Sequence, residues 1–251
     1  ITQLSFAVGG WGARLQDRYQ RRADVVNRGF SGYNTRWVRD ELLKGPQLRD
    51  GAGVRTVLVT IFFGANDASL PQHNFRQHVP LGEFCANLRA IVAHLREHCP
   101  AAALLLITPP PVCHEQRLAF QKQRYPTSAT GILERTNDAT GAYAAAVGGV
   151  ATTLGVPCVN LWQAMQDAAP ATGWHAFLSD GLHLSADGNA KVAELVLAKI
   201  EEAYPTLAVT PDPQTGYCGT SASRCHGLAP NLHWHDHLTA SLSFTHEHFK
   251  L

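Results

Sequence analysis

No stretch of eighteen apolar residues occurs in this 251-residue chain, so the sequence offers no membrane-spanning helix. An excess of one charge is lacking too: 21 Lys and Arg stand against 20 Asp and Glu, a formal net charge of +1. With no basic stripe and no aromatic-basic alternation, a nucleic acid or other polyanion partner is not expected. The opening residues, Ile1-Thr2-Gln3, have neither an initiator Met nor the basic start of a signal peptide. We therefore expect a fragment, a processed form or a partial gene model, and a cytoplasmic location. Cysteines are few. Cys85, Cys99, Cys113 and Cys158 fall irregularly in or near apolar segments and read as free thiols in a reducing compartment. Cys218 and Cys225 are near enough in sequence to pair, but their spacing is not diagnostic.

What is present suffices for one sizeable core, since 45% of the residues are hydrophobic. Leu4, Val8, Trp11, Leu15 and Tyr19 recur at helical spacing and predict a helix over 4–22. A short apolar strand lies within 23–30, and Asn34 or Thr35 can cap a helix that runs to about Leu43, before Gly45-Pro46. The run VRTVLVTIFF, 54–63, is β-branched and aromatic throughout, as in a parallel strand covered on both faces. Further expectations are a helix over 81–98, a strand over 101–108 and a long Ala-rich helix over 128–154. A strand over 156–161 and a helix over 186–204, capped by Ser185, complete the series. Alternating strands and helices imply a parallel sheet with helices on both faces, whose ligand sites lie beyond the carboxyl ends of the strands. Residues 1–205 form the domain. Residues 206–251 lack periodicity and hold six of the thirteen histidines, so they are expected to be an irregular or disordered extension.

Three polar clusters fall where ligand sites are expected. In Ser179-Asp180-Gly181-Leu182-His183, an Asp three residues before a His can reach the same imidazole. It would fix the tautomer and leave the other ring nitrogen as a general base. A helix-capping Asp beside an incidental His explains the same spacing. In Gly64-Ala65-Asn66-Asp67, the Asn66 amide can donate to an oxyanion that develops in acyl transfer, although an Asn-Asp turn has the same appearance. In Phe30-Ser31-Gly32-Tyr33, the Gly32 N–H is a further candidate donor, or simply part of a Gly turn ahead of a helix. Asp67 is expected to support its loop by hydrogen bonds. Trp11, Trp37, Phe63 and Trp174 could line an acyl pocket but fit core packing better. His73 and His78 read as solvated loop residues. The tail motifs His233-Trp234-His235-Asp236-His237 and His246-Glu247-His248 read as adventitious metal binders, so no metal or cofactor is expected.

In this order, the three clusters resemble the SGNH hydrolases, or GDSL esterases, and most closely the isoamyl acetate-hydrolysing esterase group. The matching stretches are ITQLSFAVGGWGARLQDRYQRRADVVNRGFSGYNTRW, TIFFGANDASLPQHNFRQHVPLGEF, ITPPPV and FLSDGLHLSADGN, within residues 1 to about 204. The resemblance implies a flavodoxin-like three-layer α/β/α sandwich with a parallel sheet, and metal-free hydrolysis of small uncharged, acetate-type esters. It further implies that Gly32 and Asn66 are oxyanion-hole donors, that His183 is the general base and that Asp180 orients it. The family's first block reads Gly-Asp-Ser-Ile-Thr-Gln or close to it, and this chain opens at Ile1-Thr2-Gln3. The nucleophile is thus expected upstream of residue 1, with no serine of this chain in that role and the first, central strand missing. The competing expectation is a catalytically dead relic or a binding protein that keeps the fold. Substrate-binding residues and oligomeric state are not legible in the sequence.

Overall fold

The computed structural model describes residues 1–50, 55–168 and 171–210, together with the backbone of 236–240. The strands are β1 (Asp24–Asn27), β2 (Arg55–Phe62), β3 (Ala103–Ile107), β4 (Cys158–Val159) and β5 (Asp236–Ala240). The helices are α1 (Trp11–Arg18), α2 (Thr35–Trp37, continued as a π-turn over Val38–Leu42), α3 (Pro71–Asn74) and α4 (Leu81–His98). They continue with α5 (His114–Arg124), α6 (Asn137–Leu154), α7 (Leu161–Asp167) and α8 (Ala186–Ala203). All strand pairs are parallel, in the order β1-β5-β2-β3-β4.

Alternation along the strands builds two cores. Successive strand residues point to opposite faces, so Leu58, Phe62, Leu105 and Ile107 join one cluster, while Val59, Ile61, Leu104 and Leu106 join the other. The first face is covered by Trp11 and Leu15 of α1, Leu161 and Met165 of α7, and Val192, Val196 and Ile200 of α8. The second is covered by Phe84, Leu88, Ile91 and Leu95 of α4 and by Tyr143, Val147 and Val150 of α6. The result is the expected three-layer α/β/α sandwich. Leu105, Leu106 and Ile107 are fully buried, and truncating any one of them to Ala would cost roughly 2–5 kcal/mol.

Several boundaries differ from the sequence-based expectation. The first helix starts only at Trp11, because Gly9-Gly10 turns the chain back on itself. A Cβ on Gly10 would lie 2.2 Å from the Ser5 carbonyl oxygen. Leu4 and Val8, assigned to that helix by spacing, are exposed, whereas Trp11, Leu15 and Tyr19 are buried. The long helix over 128–154 begins at Asn137, where Thr136 caps it by accepting from the Ala139 N–H at 3.1 Å. The strand over 156–161 shrinks to Cys158–Val159, and α5 and α7 were not anticipated. Ser185 caps α8 as expected, accepting from the Gly188 N–H at 3.1 Å.

β5 bears on the expectation of a missing first strand. A flavodoxin-like sheet runs 2-1-3-4-5. With β1 to β4 counted as strands two to five, β5 takes the place of strand one, between β1 and β2. That place is taken by Asp236–Ala240, five residues of the segment expected to be irregular, and not by a strand leading into Ile1. The sequence Asp-His-Leu-Thr-Ala is neither a continuous apolar run nor flanked by clear periodicity, so it did not mark a strand. Residues 211–235 and 241–251, with Cys218, Cys225 and most of the His motifs, lie outside the described residues. No helix among the described residues is long and apolar enough to cross a membrane.

Candidate active site

The three sequence clusters converge on one cleft. Ile1, Thr2, Gly32, Asn66 and His183 all line it, with Phe30, Tyr33, Phe62, Phe63 and Leu182 as apolar walls. No Asp, Glu, Lys or Arg lines it among the described residues. Its position follows from the sheet: the loops after β1 and β2 leave its carboxyl edge on either side of β5, and the loop before α8 meets them there.

That last loop is pinned at both ends. The Ser179 N–H donates to the His183 carbonyl at 2.8 Å, and the Ser185 hydroxyl donates to the Ala176 carbonyl at 2.8 Å. Inside the turn, Asp180 Oδ1 accepts from the backbone N–H groups of Leu182 at 3.0 Å and His183 at 2.7 Å. Its Oδ2 lies 2.8 Å from His183 Nδ1 and accepts from Arg117 at 3.0 Å. Burial alone would push the Asp180 carboxyl up. The hydrogen bonds from the His183 ring and backbone outweigh it and hold the group well below the usual carboxylate range. An ionised Asp180 keeps the proton on Nδ1 and turns the Nε2 lone pair outward. The Asp180 side chain is 7% exposed and that of His183 46%, so the pair is anchored at one end and open to the cleft at the other.

The other two loops are joined by Asn66, whose Nδ2 donates to the Tyr33 carbonyl at 2.8 Å. A carboxamide nitrogen carries two hydrogens, so one remains for the cleft. Beneath them, fully buried Asp67 accepts from both the N–H of Thr35 at 2.8 Å and its hydroxyl at 2.6 Å. Burial pushes the Asp67 carboxyl up to about 6, against the hydrogen bonds from Thr35. Asp67 is thus the loop support that the sequence suggested.

His183, Gly32 and Asn66 line one cleft, with Asp180 hydrogen-bonded behind His183, while other expected groups lie elsewhere. Trp11 is buried in the core and Trp37 packs edge-on against Tyr33 at 5.5 Å; of the four aromatics considered as pocket residues, Phe63 lines the cleft. His73 is exposed. His78 is bound through Nδ1 to the Ser69 carbonyl at 2.7 Å. Ser5 is fully buried, with its Oγ accepting from Asn27 at 3.3 Å. No cluster of metal-ligating side chains occurs among the described residues. Sequence reasoning missed Arg117, Glu134, Arg135 and Gln77. Arg135 is only 3% exposed, and nothing in the helix expected over 128–154 marks it as buried.

Comparison with known proteins identifies the class. Residues 1–191 match the GDSL-like Lipase/Acylhydrolase family. A GDSL esterase/lipase of Arabidopsis thaliana is 45% identical over 206 residues, covering 81% of this chain and 83% of its own length. The isoamyl acetate-hydrolyzing esterase 1 homolog of Bos taurus is 46% identical over 210 residues, covering 82% and 80%. Among solved structures, LAE5, an α/β hydrolase enzyme from the metagenome of Lake Arreo, superposes with a TM-score of 0.54 at 20% identity, covering 76% of this chain and 81% of its own. Axe2, an acetylxylan esterase from Geobacillus stearothermophilus, gives a TM-score of 0.52 at 21% identity over 70% and 71%. These two likenesses concern the fold alone. The chain belongs to the GDSL-like lipase/acylhydrolase family and is by family a serine esterase of the GDSL/SGNH type.

Proposed function

We propose that this site hydrolyses small uncharged carboxylic esters, of the acetate type, by a Ser-His-Asp mechanism whose serine directly precedes Ile1. The observation that carries the reading is the shared cleft: Ile1 and Thr2 line it together with His183, Gly32 and Asn66. A residue joined to the Ile1 nitrogen has its Cα about 3.8 Å from that of Ile1, beside the cleft that His183 also lines.

The chemistry follows from the geometry. His183 Nε2 takes the serine hydroxyl proton as the oxygen adds to the ester carbonyl, and Asp180 stabilises the imidazolium. Negative charge gathers on the former carbonyl oxygen, where Asn66 Nδ2 and the Gly32 N–H donate to it. The C–O bond then breaks, and the alcohol leaves with the proton returned from His183. Water, deprotonated by the same nitrogen, releases the acid and restores the serine. The apolar walls and the lack of charged side chains in the cleft favour an uncharged acyl group. The acetate-type substrate is suggested by the bovine isoamyl acetate-hydrolyzing relative.

The test is turnover of p-nitrophenyl acetate by a chain carrying Gly-Asp-Ser ahead of Ile1, with and without His183→Ala. Activity is expected to fall below a few per cent in the variant; retention of more overturns the assignment.

One observation favours a second reading, a non-catalytic protein that keeps the fold. β5 fills the place between β1 and β2 that a strand leading into Ile1 would take. If the 251-residue chain neither turns over p-nitrophenyl acetate nor is labelled by an organophosphonate, this second reading holds for the chain in that form.

A further inference from the structure

We propose that Arg135 is the positioning residue of the site: its buried guanidinium sets the Asn66 carboxamide and, through Gln77, the Gly32 loop, and ties both to the Asp180–His183 pair. The proposal rests on the Ser-His-Asp reading above and adds to it a residue that touches no substrate.

The argument turns on what an arginine cannot do. A guanidinium has five N–H donors and no acceptor, so any carboxamide that it meets must turn its oxygen toward it. Arg135 Nη2 donates to Asn66 Oδ1 at 3.2 Å, and Nε donates to the neighbouring Ala65 carbonyl at 3.2 Å. The Nδ2 end of Asn66 is thereby forced to the opposite side, where it donates to Tyr33 and keeps a hydrogen for the cleft. A flipped amide would set N–H against N–H at Arg135 and present an acceptor to the oxyanion. The same logic fixes Gln77. Its Oε1 accepts from Arg135 Nη2 and from Asn74 at 2.7 Å, so its Nε2 faces the Gly32 carbonyl, to which it donates at 2.9 Å.

On its other side Arg135 donates through Nη1 to Glu134 Oε1, which also accepts from Arg117 Nη2 at 2.9 Å. Arg117 Nη1 donates in turn to Asp180 Oδ2 at 3.0 Å. One continuous chain of charge-assisted hydrogen bonds therefore runs from the carboxylate that orients the base to the amide that faces the oxyanion. Burial alone would raise the Glu134 carboxyl, but the two arginines bring it below its ordinary value, so it stays ionised between them. Lysine at position 135 would keep the charge but not the planar fork that serves four acceptors at once.

The test has two parts. In the 251-residue chain, NMR of the Asn66 side-chain amide is expected to show two well-separated, slowly exchanging N–H signals, which Arg135→Lys collapses toward those of a free carboxamide. Unchanged Asn66 signals overturn the proposal, whatever the chain's activity. In the chain carrying Gly-Asp-Ser ahead of Ile1, Arg135→Lys is expected to lower kcat for p-nitrophenyl acetate by about tenfold with KM nearly constant, and Asn66→Ala by about 10²–10³. The double variant should lose clearly less than the product of the two single losses, because Arg135 acts in part through Asn66. Equal losses in both backgrounds would mean a merely structural role and overturn it, as would an unchanged kcat. An active parent whose kcat Arg135→Lys leaves unchanged refutes this inference alone, whereas a parent without turnover refutes the Ser-His-Asp reading and leaves the NMR result to decide this one. Should Arg135→Lys fail to fold, Gln77→Ala in the half-exposed loop removes only the arm to Gly32. It is expected to lower kcat severalfold, and an unchanged kcat there overturns the proposal.

Discussion

The carboxylate of Asp180 holds His183 twice, by the ring Nδ1 at 2.8 Å through one oxygen and by the backbone N–H at 2.7 Å through the other. Ring tautomer and loop conformation therefore depend on the same side chain. Replacing Asp180 by Asn puts an N–H donor into this arrangement, where every partner already donates. We expect Asp180→Asn to lower kcat by about 10⁴, as in a triad protease, when measured with p-nitrophenyl acetate in a chain carrying Gly-Asp-Ser ahead of Ile1. A loss below tenfold would show that the orienting role is minor. Because the folded value of Asp180 is depressed, its contribution to stability is present above the usual carboxylate range and is lost as pH falls below about 4. Urea unfolding below that pH should show wild type losing stability more steeply than Asp180→Asn.

Asp67 has the opposite sign. Its carboxyl is raised from 3.8 to about 6, so the folded protein holds a proton between these values that the unfolded chain releases. The associated stability is present below pH 4 and is lost as pH rises through about 6. Asp67→Asn cannot titrate. Relative to wild type, it should gain stability between pH 4.5 and pH 7, on the order of 2 kcal/mol over that interval, out of about 3 kcal/mol for the full shift. The difference in urea midpoint at the two pH values measures this, and parallel profiles would contradict it.

Gly181 turns between the two members of the pair with φ +81°, and a Cβ there would sit 2.4 Å from the Cys113 carbonyl oxygen and 2.5 Å from the Arg117 nitrogen. Both neighbours are backbone and cannot swing aside. Gly181→Ala is expected to destabilise the fold by about 1–3 kcal/mol, seen as a fall in Tm of at least roughly 3 °C. It should lower kcat as well, because the turn carries Asp180 and His183. An unchanged Tm would mean that the turn relaxes freely.

Much of this was legible in the sequence because it is local. The run VLVTIFF is a doubly covered strand wherever it sits, and Ser185 caps its helix using a neighbour three residues away. Asp180 and His183 are likewise close in sequence, so their spacing announced the pair. What escaped is non-local. Arg135 meets Asn66 across 69 residues and Arg117 meets Asp180 across 63, and no periodicity records such meetings. The start of α1 was misread because Leu4 and Val8 keep helical spacing across a Gly-Gly turn. β5 was missed because its two partners, β1 and β2, lie some two hundred residues earlier.

The most direct measurement maps the adduct that an organophosphonate leaves on a chain carrying Gly-Asp-Ser ahead of Ile1. Peptide mass analysis should find it on the serine joined to Ile1, and not in the His183→Ala variant. An adduct on Ser5 or Ser31, or equal labelling without His183, would contradict the account.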